Sequence, residues 1–245
     1  MKNYLDFSIT KQPDDTTCGP TCLHSIYQYF GDSIDLHTVI EETPKFKEGG
    51  TLAVFLACHA LKRGYKAKIY TYNLEVFDPT WLTKKGTDII KKLKAQMDNK
   101  TYPKFQTATK GYLEFLENGG ELLLEDLRPA LIRNYLKKGI PILTGLNATY
   151  LHRTMREFGH QGDDDDIRGE SVGHFVVLHG YDKEKREVYV ADPLYTNPLS
   201  TSHYYAAGIE RVICSILLGI LTYDANFLII EPKTKDNKNV DLDRR

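Results

Sequence analysis

The chain has 245 residues, 41% hydrophobic and 27% charged, with a formal net charge of -1 at pH 7. That length allows one large domain or two small ones, and a charge so near zero supplies no field toward nucleic acid or an anionic membrane. The longest apolar stretch, Val212 to Leu221, is about half the roughly twenty residues a membrane-spanning helix needs. Met1 to Thr10 lacks a signal-peptide pattern, and four cysteines without a CxxC pair fit a reducing cytoplasm better than a disulfide framework.

The first helix is expected to start at or just after Cys18. Thr16, Thr17 and Gly19-Pro20 mark its opening, since proline is tolerated in a first turn. Leu23, Ile26, Tyr27 and Phe30 make one apolar stripe, and Gly31 ends it. A short helix over Leu36 to Glu42, capped by Asp35, follows. Next come a helix over Leu52 to Arg63, capped by Thr51 and closed by Gly64, and a strand over Tyr65 to Tyr72. Residues 73–120 are Lys-rich, with helices near Thr87 to Met97 and Tyr112 to Leu116. They read as an inserted helical segment that shapes a groove, or as a peripheral layer.

Glu125 to Lys138 reads as a helix, Ile140 to Leu146 as a buried strand and Asn147 to Ser171 as a polar loop. Gly173 to Tyr181 and Glu187 to Ala191 form two strands joined by the charged turn Asp182 to Arg186. A helix over Tyr204 to Thr222 and a strand over Phe227 to Glu231 complete a single domain, residues 1–232. The charged tail 233–245 is expected to be disordered. Helices first and an antiparallel sheet afterwards is an α+β layout.

Cys18 carries the clearest chemical signal. A thiol attacks as thiolate, and a helix N-terminus favours that form through its unpaired amides. The Cys18 N–H is placed to meet a developing oxyanion, and Gln12 offers a second donor if Pro13 to Thr17 fold back; the plain alternative for Gln12 is a surface role. Gly19 leaves room for a substrate backbone, as does Gly173. Cys22, Cys58 and Cys214 read as structural.

Of eight histidines, His174 and His179 share one strand at an odd spacing, which sends them to opposite faces. A histidine base needs a partner that fixes its tautomer. Folding the hairpin brings Asp192 near His174; Asp182 near His179 is the rival pairing.

Taken together, Gln12 to Leu23 (QPDDTTCGPTCL), Gly173 to Tyr181 (GHFVVLHGY) and Val190 to Pro193 (VADP) resemble the double-glycine, or bacteriocin leader, peptidases. The likeness is closer to their free-standing relatives that lack a transporter. The resemblance implies a papain-like fold, with an N-terminal helical part packed on a C-terminal antiparallel sheet. It also implies a cysteine peptidase or amide hydrolase working through a thioester. Cys18 would be nucleophile, His174 base, Asp192 its orienter and Gln12 an oxyanion donor, with no cofactor and no metal. The expected partner is a peptide or amide substrate, with no nucleic acid and no membrane, in the cytoplasm. Thr17, where those enzymes often carry an acid, and the segment 73–120 depart from the family pattern. Two alternatives stay open: a phytochelatin-synthase-like transpeptidase, and a non-catalytic peptide-binding domain on the same fold. The run Asp163 to Asp166 reads as a solvated loop; its spacing is not that of an EF-hand.

Overall fold

In the computed structural model, which describes residues 2–46, 49–159 and 161–233, the chain enters as a short strand, β1 (Lys2–Tyr4). An extended arm then leads to α1 (Cys18–Tyr29), which Pro20 opens and Gly31 follows in the left-handed conformation. The next helix, α2 (Leu36–Glu42), starts where expected, with the Asp35 carboxylate accepting the His37 N–H at 2.8 Å. Helix α3 (Ala53–Lys62) starts at Leu52, not at a threonine cap. The Thr51 hydroxyl donates to the Pro44 carbonyl instead, and the Ala53 amide is taken by the carboxylate of Asp224, 171 residues away.

Strand β2 (Tyr65–Thr71) leads to α4 (Pro79–Thr83), α5 (Ile89–Met97) and α6 (Pro103–Glu117). Helix α6 is longer than its sequence pattern suggested, and it buries Phe105, Ala108, Tyr112 and Phe115 while packing on α3. Helix α6 is therefore built into the core, whereas α4 buries none of its residues and α5 only Leu93. A short strand, β3 (Glu121–Leu123), precedes α7 (Pro129–Lys137), which begins at its proline, four residues later than the expected helix. Strand β4 (Ile142–Asn147) is buried along its whole length.

The expected polar loop holds α8 (Ala148–His152) and a small hairpin of β5 (Glu157–Phe158) and β6 (Asp163–Asp164). Strands β7 (Gly173–Asp182) and β8 (Glu187–Ala191) form the expected hairpin. The single helix expected over 204–222 is three pieces: β9 (Tyr204–Gly208), α9 (Ile209–Leu218) and a 3-10 turn (Gly219–Thr222). Strand β10 (Asn226–Pro232) follows, and the tail read at 233–245 lies outside the described residues beyond Lys233.

The main sheet has the order β3-β2-β10-β4-β7-β8-β9, with β1 added to the far end of β7. Every pair in it is antiparallel except β2 with β3, so this is a mixed α+β fold with a mostly antiparallel sheet. The last strand, β10, sits between β2 and β4 at the centre. Strands β4, β7 and β10 read as near-continuous apolar runs because helices cover the sheet: α1 and α7 contact β7, α3 contacts β2 and β10, and α9 contacts β4.

Candidate active site

Cys18 is the first residue of α1 and is buried to 8% exposure. The turn before it is fastened by Asp14, whose carboxylate accepts the Thr16 N–H at 2.8 Å and the Thr16 hydroxyl at 2.7 Å. Thr17, the N-cap, gives no side-chain cap, because its hydroxyl donates to the Asp14 carbonyl. The first turn of α1 carries no acidic residue. Negative charge on the sulfur therefore meets uncapped amides at the positive end of the helix dipole.

His174 opens β7 and Asp192 follows β8. His174 Nε2 lies 2.7 Å from Asp192 Oδ1, which leaves Nδ1 free of the acid, and the ring lines the same groove as the Cys18 sulfur. Asp192 is fully buried. Its Oδ1 also accepts the Leu194 N–H at 2.8 Å, and its Oδ2 accepts the Tyr205 hydroxyl at 2.9 Å. Tyr205 comes from β9, the strand the sequence pattern hid inside a helix. A second imidazole, His152 of α8, holds its Nε2 3.9 Å from Asp192 Oδ2 with no hydrogen-bond partner of its own.

Burial alone would pull the His174 pKa down, but the charge and hydrogen bond of Asp192, with the Cys18 sulfur, outweigh it and push the value up to about 10. Burial would raise the Asp192 carboxyl, yet His174 and the two neutral donors hold it below the usual range. The pair is thus poised as imidazolium and carboxylate. The rival pairing does not form: Asp182 caps its own turn through the Glu184 and Lys185 amides, and His179 Nδ1 faces the Leu5 carbonyl at 3.4 Å.

Gln12 is buried, and its backbone N–H donates to the Pro193 carbonyl at 3.0 Å, tying the nucleophile arm to the Asp192 segment. Its Nε2 donates to the Asp14 carbonyl at 3.0 Å while Oε1 has no partner. An amide nitrogen has two hydrogens, so one is not engaged by that bond.

Gly19 is tightly packed. A Cβ there would meet Thr51 Cγ2 at 2.7 Å and Phe175 Cδ2 at 3.1 Å, so packing against the core by itself favours the glycine. Gly173 does line the groove that reaches Cys18 and His174, a cavity of about 190 Å³. Its other walls include Gly49-Gly50, Lys104 from α6 and Asp224 before β10.

The remaining thiols are placed otherwise. Cys22 donates to the Phe175 carbonyl at 3.4 Å, and burial holds its thiol well up. Burial pushes Cys58 up to about 12, and Cys214 is exposed. Asp165 caps its own turn and pairs with Arg168. Among the described residues no cluster of histidine, cysteine and acidic side chains has the geometry to hold a metal ion; His160 lies outside them.

Tyr205, His152, Lys104 and Asp224 were not singled out for this site by the sequence. Alternation of exposed and buried residues across 204–208 would have marked Tyr205, but all five are aromatic or small and show no polar contrast.

A model of the Peptidase_C39 like family matches residues 4–211. No curated protein sequence matches the chain. Among solved structures, one described as a C39-like peptidase from Bacillus anthracis is 18% identical, with 96% of this chain and 100% of that one covered at a TM-score of 0.52. A double glycine motif protease from an AMS/PCAT transporter, solved with its leader peptide, is 15% identical over 94% of this chain and 95% of that one, with a TM-score of 0.44. Xylellain, a cysteine protease from Xylella fastidiosa, is 12% identical over 94% and 85%, with a TM-score of 0.45.

Proposed function

Since the chain belongs to the peptidase C39-like family and is a papain-like cysteine peptidase, we propose that it cuts its peptide substrate with Cys18 as nucleophile, His174 as base, Asp192 as orienter and Gln12 as oxyanion donor. The observation that supports this most is one imidazole bonded at 2.7 Å to a buried carboxylate and lining the same groove as a helix-terminal sulfur.

The Cys18 proton rests on His174 before substrate arrives, so the ring stands as imidazolium beside the thiolate. The sulfur attacks the scissile carbonyl carbon, and the oxyanion rests on the Cys18 amide and the free hydrogen of Gln12 Nε2. His174 then gives its proton to the leaving amine as the C–N bond breaks. Water, deprotonated by the same ring, hydrolyses the thioester and restores the thiol.

Residues 1–232 act as one catalytic domain in this reading. Support comes from the sheet, in which β1 joins β7 and β10 separates β2 from β4. The substrate is a peptide chain of the kind removed from bacteriocin precursors, processed in the cytoplasm. No helix among the described residues is long and apolar enough to cross a membrane.

Alkylation by iodoacetamide tests the assignment. Fast labelling of Cys18, lost in His174→Ala, is expected; uniform slow labelling of all thiols would instead favour a peptide-binding domain without turnover.

A further inference from the structure

The groove beside Cys18 holds a carboxylate that the catalytic chemistry does not use. Asp224 stands just before β10 and is 5% exposed. It lines the groove with Cys18, His174, Lys104 and Asp15. Its Oδ1 accepts from Asn226 Nδ2 at 2.7 Å, and both oxygens accept the Ala53 amide at 3.0 and 3.2 Å. Two neutral donors leave lone pairs on Oδ2 unused, since a carboxylate has about four acceptor sites.

No lysine, arginine or histidine among the described residues reaches ion-pair distance of Asp224. Lys104 faces it from α6 and attracts it, but that ammonium lies over the Tyr223 and Phe46 rings, 5.0 and 5.8 Å from their centroids. Tyr112 of α6 approaches from the other side and is neutral, with its hydroxyl 3.1 Å from Asn226 Nδ2. Strand β4 keeps a glycine against the carboxyl: a Cβ on Gly145 would sit 2.8 Å from Asp224 Oδ2. Gly145 also lines the groove. A buried carboxylate without a cation is a costly arrangement, and here it sits where a bound substrate would lie.

We propose that Asp224 is a specificity-determining residue of the groove and takes the guanidinium or ammonium of an arginine or lysine within one or two residues of the scissile bond. The proposal rests on the reading of Cys18 and His174 as the catalytic pair. Burial pushes the Asp224 carboxyl up to about 7, so the free enzyme holds it partly protonated near neutrality. A bound cation restores the charged form and releases the proton. Preference for a basic residue is therefore fullest above pH 7 and fades as pH falls. The competing account is that Asp224 serves only as the cap of α3.

Matched peptide pairs separate the two accounts. The full chain is given peptides carrying arginine or its neutral near-isostere citrulline at each position around the bond. At one position the arginine-to-citrulline ratio of kcat/KM is expected to reach roughly ten- to a hundredfold at pH 8, the range for a charge-assisted hydrogen bond. The ratio should shrink toward one by pH 5.5, and it should collapse in Asp224→Asn at pH 8. Cleavage with a ratio near one at every position overturns this proposal alone, as does an undiminished ratio in Asp224→Asn. If that variant does not fold, the wild-type ratio decides: a ratio unchanged between pH 8 and 5.5 overturns it. No cleavage at all, with slow alkylation of Cys18, overturns the catalytic reading and this one with it.

Discussion

Replacing Tyr205 by phenylalanine removes one oxygen atom and leaves the ring in place. The lost hydroxyl donates at 2.9 Å to Asp192 Oδ2, and both groups are buried. What remains near Oδ2 is His152 Nε2 at 3.9 Å, outside hydrogen-bonding range. A hydrogen bond to a charged group contributes about 1.5–3 kcal/mol, and little cavity forms, so the expected loss of stability at pH 7 is about 2 kcal/mol. The loss depends on the charge of Asp192, whose carboxyl is held below its usual range. Stability from a depressed carboxyl is present above the unfolded pKa, about 3.9, and is lost as pH falls through the folded value. The gap between wild type and Tyr205→Phe should therefore be full at pH 7 and narrow below about pH 4. Activity should fall less than about tenfold, since the 2.7 Å bond from Asp192 to His174 is untouched. Urea unfolding of both proteins across pH, beside kcat/KM on one fluorogenic peptide, measures each quantity. Equal urea midpoints at pH 7, or a gap that ignores pH, would refute the reasoning.

Gly19→Ala must push a methyl into Thr51, Phe175 and Leu56, and a loss of about 1–3 kcal/mol is expected in a urea melt. Gln12→Ala should lower kcat by roughly a hundredfold or more while Cys18 is still alkylated quickly, because the donor acts on the oxyanion and not on the thiol. His174 is raised to about 10 in the folded chain against about 6.5 unfolded. The stability from its extra proton is fully present below pH 6.5 and lost as pH rises through about 10. A urea midpoint that falls between pH 7 and 10.5 in wild type, and falls less in His174→Gln, checks that sign.

The nucleophile segment was legible because its signals are local: threonines before the helix, a proline in its first turn, a glycine stop. The pairing of His174 with Asp192 was legible because a hairpin turns sequence distance into register. The packing need at Gly19 was not legible, since the neighbours that exclude a side chain there, Thr51, Leu56 and Phe175, come from the turn before α3, from α3 and from β7. Strand β9 was hidden by the apolar helix it runs into, where Tyr-Tyr-Ala-Ala-Gly has no polar residue to mark an outward face. The caps of α3 show the same limit, for no local pattern announces that Ala53 will find its acceptor at Asp224. Strands β1 and β3, three residues each, are too short for a period to show.

The central place of β10 has a bearing on timing. A ribosome makes this strand after the other described elements, yet β2 and β4 have no direct pairing without it. A nascent chain halted before residue 226 therefore carries a split platform, with β2 and β3 not joined through the sheet to the half that bears Cys18, His174 and Asp192. The groove draws its walls from both halves, Lys104 of α6 on one side and Gly145 and Gly173 of β4 and β7 on the other, so its shape is complete only with the closing strand.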